Sequence, residues 1–127
     1  MKNTLTDKKG DAVLIEATAL TPIAYKHVFG ADMLKEINKI KNGKKDPEDI
    51  YDLASQMAFI MATQAANVND YQAVMNATID SYYEFVNNFD SDYFNNMEHY
   101  YVILGTWFNN ADVIDKAKNL QSPQNEN

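Results

Sequence analysis

The chain of 127 residues contains no cysteine and no arginine, and it has only four glycines and three prolines. The absence of cysteine excludes disulfide bonds and thiolate metal sites, and it is consistent with a cytosolic protein. The four scattered glycines form no glycine-rich loop of the kind that binds phosphate groups. The apolar run Ala12–Ile15 ends at Glu16, so we expect no membrane-spanning segment and no secretory leader.

Positive charge is missing from the middle of the chain. The net charge is -7, and all eleven lysines lie before Asp46 or after Asp115. The helices predicted between these two residues therefore have no lysine with which to form ion pairs along their own surfaces. Such a surface opposes nucleic-acid binding, which needs clustered cations. It is typical of a solubilising face, and the alternative is a docking surface for a basic protein.

Apolar residues recur at helical spacing along most of the chain. The pattern predicts helical segments over Thr21–Lys41 with an interruption at Phe29-Gly30, from Asp46-Pro47 to about Asn67, from Tyr71 to Phe89, and from Tyr93 to Phe108. Thr21 and Asp46 each precede a proline, and a capping side chain followed by proline favours a helix start. The connections are short, so we predict an all-α fold, a bundle of four to six helices.

The ends of the chain are predicted to differ from this helical body. A β-prone segment over Ala12–Leu20 leaves a short N-terminal hairpin open, with its turn at Lys9-Gly10-Asp11. We expect a single domain over residues 1–120 that begins with a mobile polar segment over residues 1–11. A short helix over Ala111–Leu120 and a disordered tail over residues 121–127 complete the prediction.

The sequence shows no pattern of catalytic or metal-binding residues. His27 and His99 are the only histidines, and neither has a second ligand at a convincing helical spacing. There is no G-x-S-x-G turn and no histidine near a serine in a recognisable context. Asp90 and Asp92 lie at a predicted helix start, where capping explains them. We therefore expect a protein that is not an enzyme and that has no cofactor and no metal.

The second half of the chain is rich in aromatic residues, which occur on more than one side of their helices. Most of them are expected to fill the core. A bundle of this size cannot enclose them all, and exposed aromatic clusters often mark protein contacts. The predicted partner-contact residues are Phe85, Phe89, Tyr100, Tyr101, Trp107 and Phe108.

An ordered series of residues near the start of the helical body resembles a family pattern. Thr21, Pro22, Tyr25, Phe29, Gly30, Asp32, Met33 and Leu34 follow the order T-P-x-x-Y-x-x-x-F-G-x-D-(aliphatic)-L. This order is similar to that of the tail assembly chaperones of long-tailed, siphovirus-type phages and prophages of low-GC Gram-positive bacteria. The stretch Ile103–Asn109 resembles the aliphatic-to-tryptophan helix end of the same family. We expect the first six residues of the series to be structural, forming a capped and kinked helix held by two rings.

The resemblance implies a non-catalytic chaperone that acts in the cytoplasm of the bacterial host and is absent from the finished virion. It implies two partners, the tape-measure protein, whose apolar helical segments would otherwise aggregate, and the major tail-tube protein. No nucleic-acid or membrane partner is expected, and self-association is left open. The alternative is a small structural tail-completion or connector protein that stays in the phage particle. A third interpretation is a host-encoded helical adaptor unrelated to phages.

Overall fold

The structure is a computed structural model, and it describes residues 1–43 and 46–109. Within these ranges the elements are β1 (Lys2–Thr6), β2 (Ala12–Glu16), α1 (Thr21–Phe29), α2 (Met33–Lys41), α3 (Pro47–Ala66), α4 (Tyr71–Met75), α5 (Ile79–Val86), a 3₁₀ turn (Tyr93–Asn95) and α6 (Met97–Phe108). The fold is mostly helical, as predicted, but the hairpin of β1 and β2 means that it is not purely all-α. The helix expected over Ala111–Leu120 and the tail over 121–127 lie outside the described residues.

The turn of the N-terminal hairpin lies where the sequence predicted a mobile start. The Asp7 carboxylate closes this turn, because its Oδ1 atom accepts the backbone N–H groups of Lys9 and Asp11, each at 2.9 Å. Gly10 has a φ of +89°, a backbone conformation that a side chain would strain. The turn that the sequence left open at residues 9–11 is therefore present, and it connects β1 to β2.

One face of the hairpin is buried against α3 and α6. The antiparallel register pairs Asn3 with Ile15 and Leu5 with Val13, so these four side chains share one face. Leu5 and Ile15 are fully buried on that face. The Asn3 side chain also donates a hydrogen bond of 3.3 Å to the Thr106 hydroxyl of α6. These long-range contacts hold β1 in place.

Helices α1 and α2 are separated where the sequence predicted. Gly30 ends α1 with a φ of +71°, and its N–H group donates to the Lys26 carbonyl at 2.8 Å. Asp32 then caps α2, since its Oδ1 atom accepts the N–H groups of Leu34 at 3.0 Å and Lys35 at 3.2 Å. A glycine stop and an aspartate start therefore produce the kink.

Helix α3 lies at the centre of the fold, where it contacts β2, the five other helices and the 3₁₀ turn. Burial extends around most of the circumference of this helix, whereas the sequence predicted one apolar face, formed by Ile50, Leu53, Ala54, Met57, Ile60, Met61 and Ala65. Ser55, Ala58 and Phe59 lie outside the predicted face, and all three are buried. A helix that is buried around most of its circumference is the expected centre of a small core, and short side chains such as those of Ser55 and Ala58 let neighbouring elements approach closely.

The stripe predicted as one helix over residues 71–89 is divided into α4 and α5 in the structure. Thr78 causes the new start, because its hydroxyl accepts the Ser81 N–H group at 3.1 Å. The next helix also begins later than predicted, since residues 93–95 form a 3₁₀ turn and Asn96 caps α6. In both places a polar side chain supplies a cap that interrupts the apolar pattern.

None of the helices in the described ranges is both long enough and apolar enough to cross a bilayer.

Candidate protein-contact surfaces

Thr21 does not cap α1 in the way that the sequence predicted. It has no exposed surface, and its hydroxyl donates to Oε1 of Gln64 on α3 at 2.6 Å while accepting the Thr18 N–H group at 3.0 Å. The Gln64 amide in turn donates to the Thr18 hydroxyl at 2.7 Å. The capping position belongs to Leu20, which has no side chain able to cap. Thr21 therefore ties α1 to the C-terminal half of α3.

The two rings of the motif pack into the core beside each other. The centroids of Tyr25 and Phe29 lie 5.2 Å apart, and the Phe29 ring lies 5.1 Å from that of Tyr82. The Tyr25 hydroxyl donates to Oε1 of Gln56 at 2.6 Å. Burial, and secondarily the negative charge of Glu36, raises the pKa of Tyr25 above its ordinary value. This hydroxyl therefore stays protonated as a hydrogen-bond donor.

Two of the six residues predicted to contact a partner lie in the core instead. Phe89 is 6 % exposed and Tyr100 is 2 % exposed, so neither can meet a partner while the fold is intact. Phe89 lies 5.0 Å from both Phe85, which is half-buried, and Phe94. Burial raises the pKa of Tyr100 to about 12, with a smaller contribution from Tyr101. Helical spacing alone could not show which rings would pack against one another.

Helix α6 leaves three of the predicted residues accessible. Phe108 is 50 % exposed, whereas Tyr101 and Trp107 are half-buried and pack against the core. Thr106, between them, is fully buried and accepts the hydrogen bond from the hairpin. The surface that α6 can offer to a partner is therefore narrower than predicted. It is formed by Tyr101, Trp107 and Phe108.

A groove that the sequence analysis did not predict lies between α1, α2 and α4. Its volume is about 430 Å³, and its apolar lining comes from Pro22, Ile23, Leu34 and Met75. Ile23 is 57 % exposed and Leu34 is 47 % exposed, so this groove places two large aliphatic side chains together at the surface. We refer to these four residues and the space between them as the α1–α2 groove. Lys26 also lines it.

A signal for the groove was present in the spacing of apolar residues. In α2 the buried residues Met33, Ile37 and Ile40 form one stripe, and Leu34 lies beside that stripe. In α1 the buried face contains Thr21, Ala24 and Tyr25, which leaves Ile23 outside it. An apolar residue next to a complete buried stripe is a candidate for the surface.

Three acidic residues, Glu48, Asp49 and Asp52, lie in the N-terminal half of α3. Partial burial raises the pKa of Asp52, and the neighbouring negative charges of Asp49 and Glu48 raise it further. In the part of the chain that the structure describes, the single lysine–carboxylate ion pair joins Lys39 to Glu36 at 3.1 Å. The acidic residues of α3 to α6 thus have no lysine partner within residues 1–43 and 46–109.

The arrangement of residues 1–43 and 46–109 leaves several apolar side chains exposed. Across residues 1–43 and 46–109, no three histidine, aspartate or glutamate side chains converge in a way that could hold a metal ion. His99 stacks on Tyr93 with ring centroids 3.8 Å apart, and its Nδ1 atom lies 2.8 Å from the Tyr93 carbonyl oxygen. These two contacts give His99 a structural role. Comparison of the chain with protein-family models, curated proteins and solved structures finds no match.

Proposed function

We propose that this protein is a phage tail assembly chaperone, which binds the tape-measure protein and helps to recruit tail-tube subunits during tail morphogenesis in the host cytoplasm. The observation that carries the proposal is the ordered series from Thr21 to Leu34, which resembles the pattern of that family. The same segment contributes Ile23 and Leu34, two exposed aliphatic side chains, to the α1–α2 groove. An exposed apolar groove suits a client whose helices carry apolar stripes.

The proposed mechanism requires no covalent chemistry. Apolar side chains of the α1–α2 groove, together with Tyr101, Trp107 and Phe108 of α6, cover apolar helix surface on the client. The acidic residues of α3 to α6, which lack lysine partners within the described ranges, keep the complex in solution by charge repulsion between complexes. Binding of this kind is weak and reversible, because a small interface leaves little free energy after the cost of association. The chaperone can then leave as tube subunits polymerise.

The test is co-expression with the tape-measure protein encoded at the same locus. We expect the native protein to raise the soluble fraction of the client and to co-purify with it on size-exclusion chromatography. A folded protein that neither rescues the client nor forms a complex would contradict the proposal.

A second measurement separates the chaperone from a structural tail-completion or connector protein. Mass spectrometry of purified virions should not detect a chaperone, whereas a structural component would be found there. Gene order provides a further check against a host-encoded adaptor, because we expect the gene to lie between those of the tube and tape-measure proteins.

A further inference from the structure

We propose that the α1–α2 groove binds an amphipathic helix that carries an acidic residue beside its apolar stripe. The inference rests on the proposed function only in naming the tape-measure protein as the source of that helix. The residues that form the groove all lie within the part of the chain that the structure describes. Two independent properties, the apolar lining and the local charge, indicate which kind of helix would bind there.

The apolar lining fits the side chains of one helix face. Pro22 and Ile23 come from α1, Leu34 from α2 and Met75 from α4, so three elements form the walls. A volume of about 430 Å³ accommodates a few large side chains, such as those that succeed each other along a helix at spacings of three and four. Met75 adds an adaptable wall, because methionine adjusts to apolar partners of different shape.

Three polar side chains line the groove: Lys26, His27 and Asp32. The Asp32 carboxylate accepts the N–H groups of Leu34 and Lys35, so its negative charge is directed at the positive end of α2. Within residues 1–43 and 46–109, Lys26 has no ion-pair partner. An acidic side chain on a bound helix would supply that partner. A basic side chain at the same place would be repelled.

The distribution of charge over the whole protein strengthens this preference. Residues 21–43 contain four lysines and two acidic residues, whereas residues 46–109 contain no lysine and ten acidic residues. Two of the three elements that form the α1–α2 groove, α1 and α2, therefore come from the basic part of an acidic chain. An acidic partner is attracted to this part and repelled by the rest, which favours one binding site and one orientation.

The test compares two synthetic helical peptides that have the same leucine stripe at positions i, i+3, i+4 and i+7. One carries glutamate beside the stripe and the other carries lysine, and binding is followed by fluorescence anisotropy at physiological ionic strength. We expect the native protein to bind the glutamate peptide about two- to fivefold more tightly, the range expected for one exposed ion pair. The net charge of -7 by itself predicts the opposite order, so the comparison is stringent.

Matched variants localise the binding. Leu34→Ser should weaken binding of the glutamate peptide by about fivefold, because a side chain that is half exposed buries its remaining apolar area on binding. Leu14→Ser is the control, since Leu14 is 46 % exposed on the hairpin and Leu34 is 47 % exposed in the groove. Lys26→Glu should reverse the order of the two peptides, and Lys9→Glu, in the hairpin turn, should leave it unchanged.

Several results would overturn the inference. Tighter binding of the lysine peptide to the native protein would do so. Equal losses of affinity for the glutamate peptide in Leu34→Ser and Leu14→Ser would do so as well. A dimer on light scattering that becomes a monomer in Leu34→Ser would show that a second copy of this chain occupies the groove. If the native protein and Leu34→Ser both kept the client soluble in co-expression, the proposed chaperone function would stand and the proposed role of the groove would be rejected. Peptide results as expected without any client rescue would reject the function alone.

Discussion

Replacement of Thr21 by aspartate distinguishes the helix-cap role predicted from the sequence from the buried role found in the structure. Aspartate is at least as good a helix cap as threonine, so a capping role predicts almost no loss of stability. In the structure Thr21 has no exposed surface, and its hydroxyl lies 2.6 Å from Oε1 of Gln64. An aspartate at this position would face an acceptor oxygen without a proton to donate, and it would place a charge out of contact with water.

The size of the expected loss follows from these contacts. Burying a carboxylate whose one remaining donor would be the Thr18 N–H group is costly, and we expect Thr21→Asp to lower the free energy of unfolding at neutral pH by about 2 to 4 kcal/mol. Thr21→Val keeps the shape of the side chain but leaves the Gln64 carbonyl and the Thr18 N–H group without their partner, which should cost about 1 to 3 kcal/mol. Thr21→Ser retains the hydroxyl and loses one buried methyl group, which should cost about 1 kcal/mol.

Urea unfolding followed by far-ultraviolet circular dichroism measures all three variants, provided that their m-values agree with that of the native protein. A Thr21→Asp variant within about 0.5 kcal/mol of the native protein would refute the buried role and restore the capping role. A cycle that combines Thr21→Val with Gln64→Leu provides an internal check. The double variant should lose less free energy of unfolding than the two single variants lose in sum, because each single change leaves the other side chain without its hydrogen-bond partner.

Three further predictions concern the kink, the buried tyrosines and the end of α6. Gly30→Ala should lower the free energy of unfolding by about 1 kcal/mol, because φ is +71° while an added Cβ would meet nothing within 4 Å. Gly30→Asn should cost less in the same urea unfolding assay, and equal stability of the native protein and both variants would contradict this reasoning. Burial raises the pKa of Tyr100 to about 12 from an ordinary value of 10.0. The contribution of the protonated Tyr100 side chain to the free energy of unfolding is therefore complete below pH 10.0 and is lost as the pH rises toward 12. Tyr100→Phe should therefore flatten the alkaline loss of stability in urea titrations, and an unchanged profile would contradict the assignment. Phe108→Ala should reduce client recovery in co-expression with less than about 1 kcal/mol lost from stability, since the ring is 50 % exposed. Trp107→Ala should cost more stability because Trp107 packs against the core, and the reverse order of the two losses would assign Phe108 to the core.

Helix ends and turns were predictable where one or two residues decide them. Gly30 and Asp32 produced the expected stop and start between α1 and α2, and Pro47 begins α3 as expected. The hairpin turn around Gly10 was also within reach of the sequence. The cap at Thr78 was missed because the apolar pattern continues through it. Caps and turns act on backbone groups only a few positions away, so a short segment contains the information that specifies them.

The composition and spacing of the chain determined by themselves that it is mostly helical, acidic in its second half and rich in aromatic side chains. The tertiary structure alone decided which of these side chains are buried. Phe89 and Tyr100 are in the core, whereas Ile23 and Leu34 are exposed, although all four are apolar residues in predicted helical segments. Thr21 likewise acquired its role from Gln64, 43 positions away. Burial depends on partners that are distant in the chain, so a local sequence pattern cannot show which distant surface will cover a given residue.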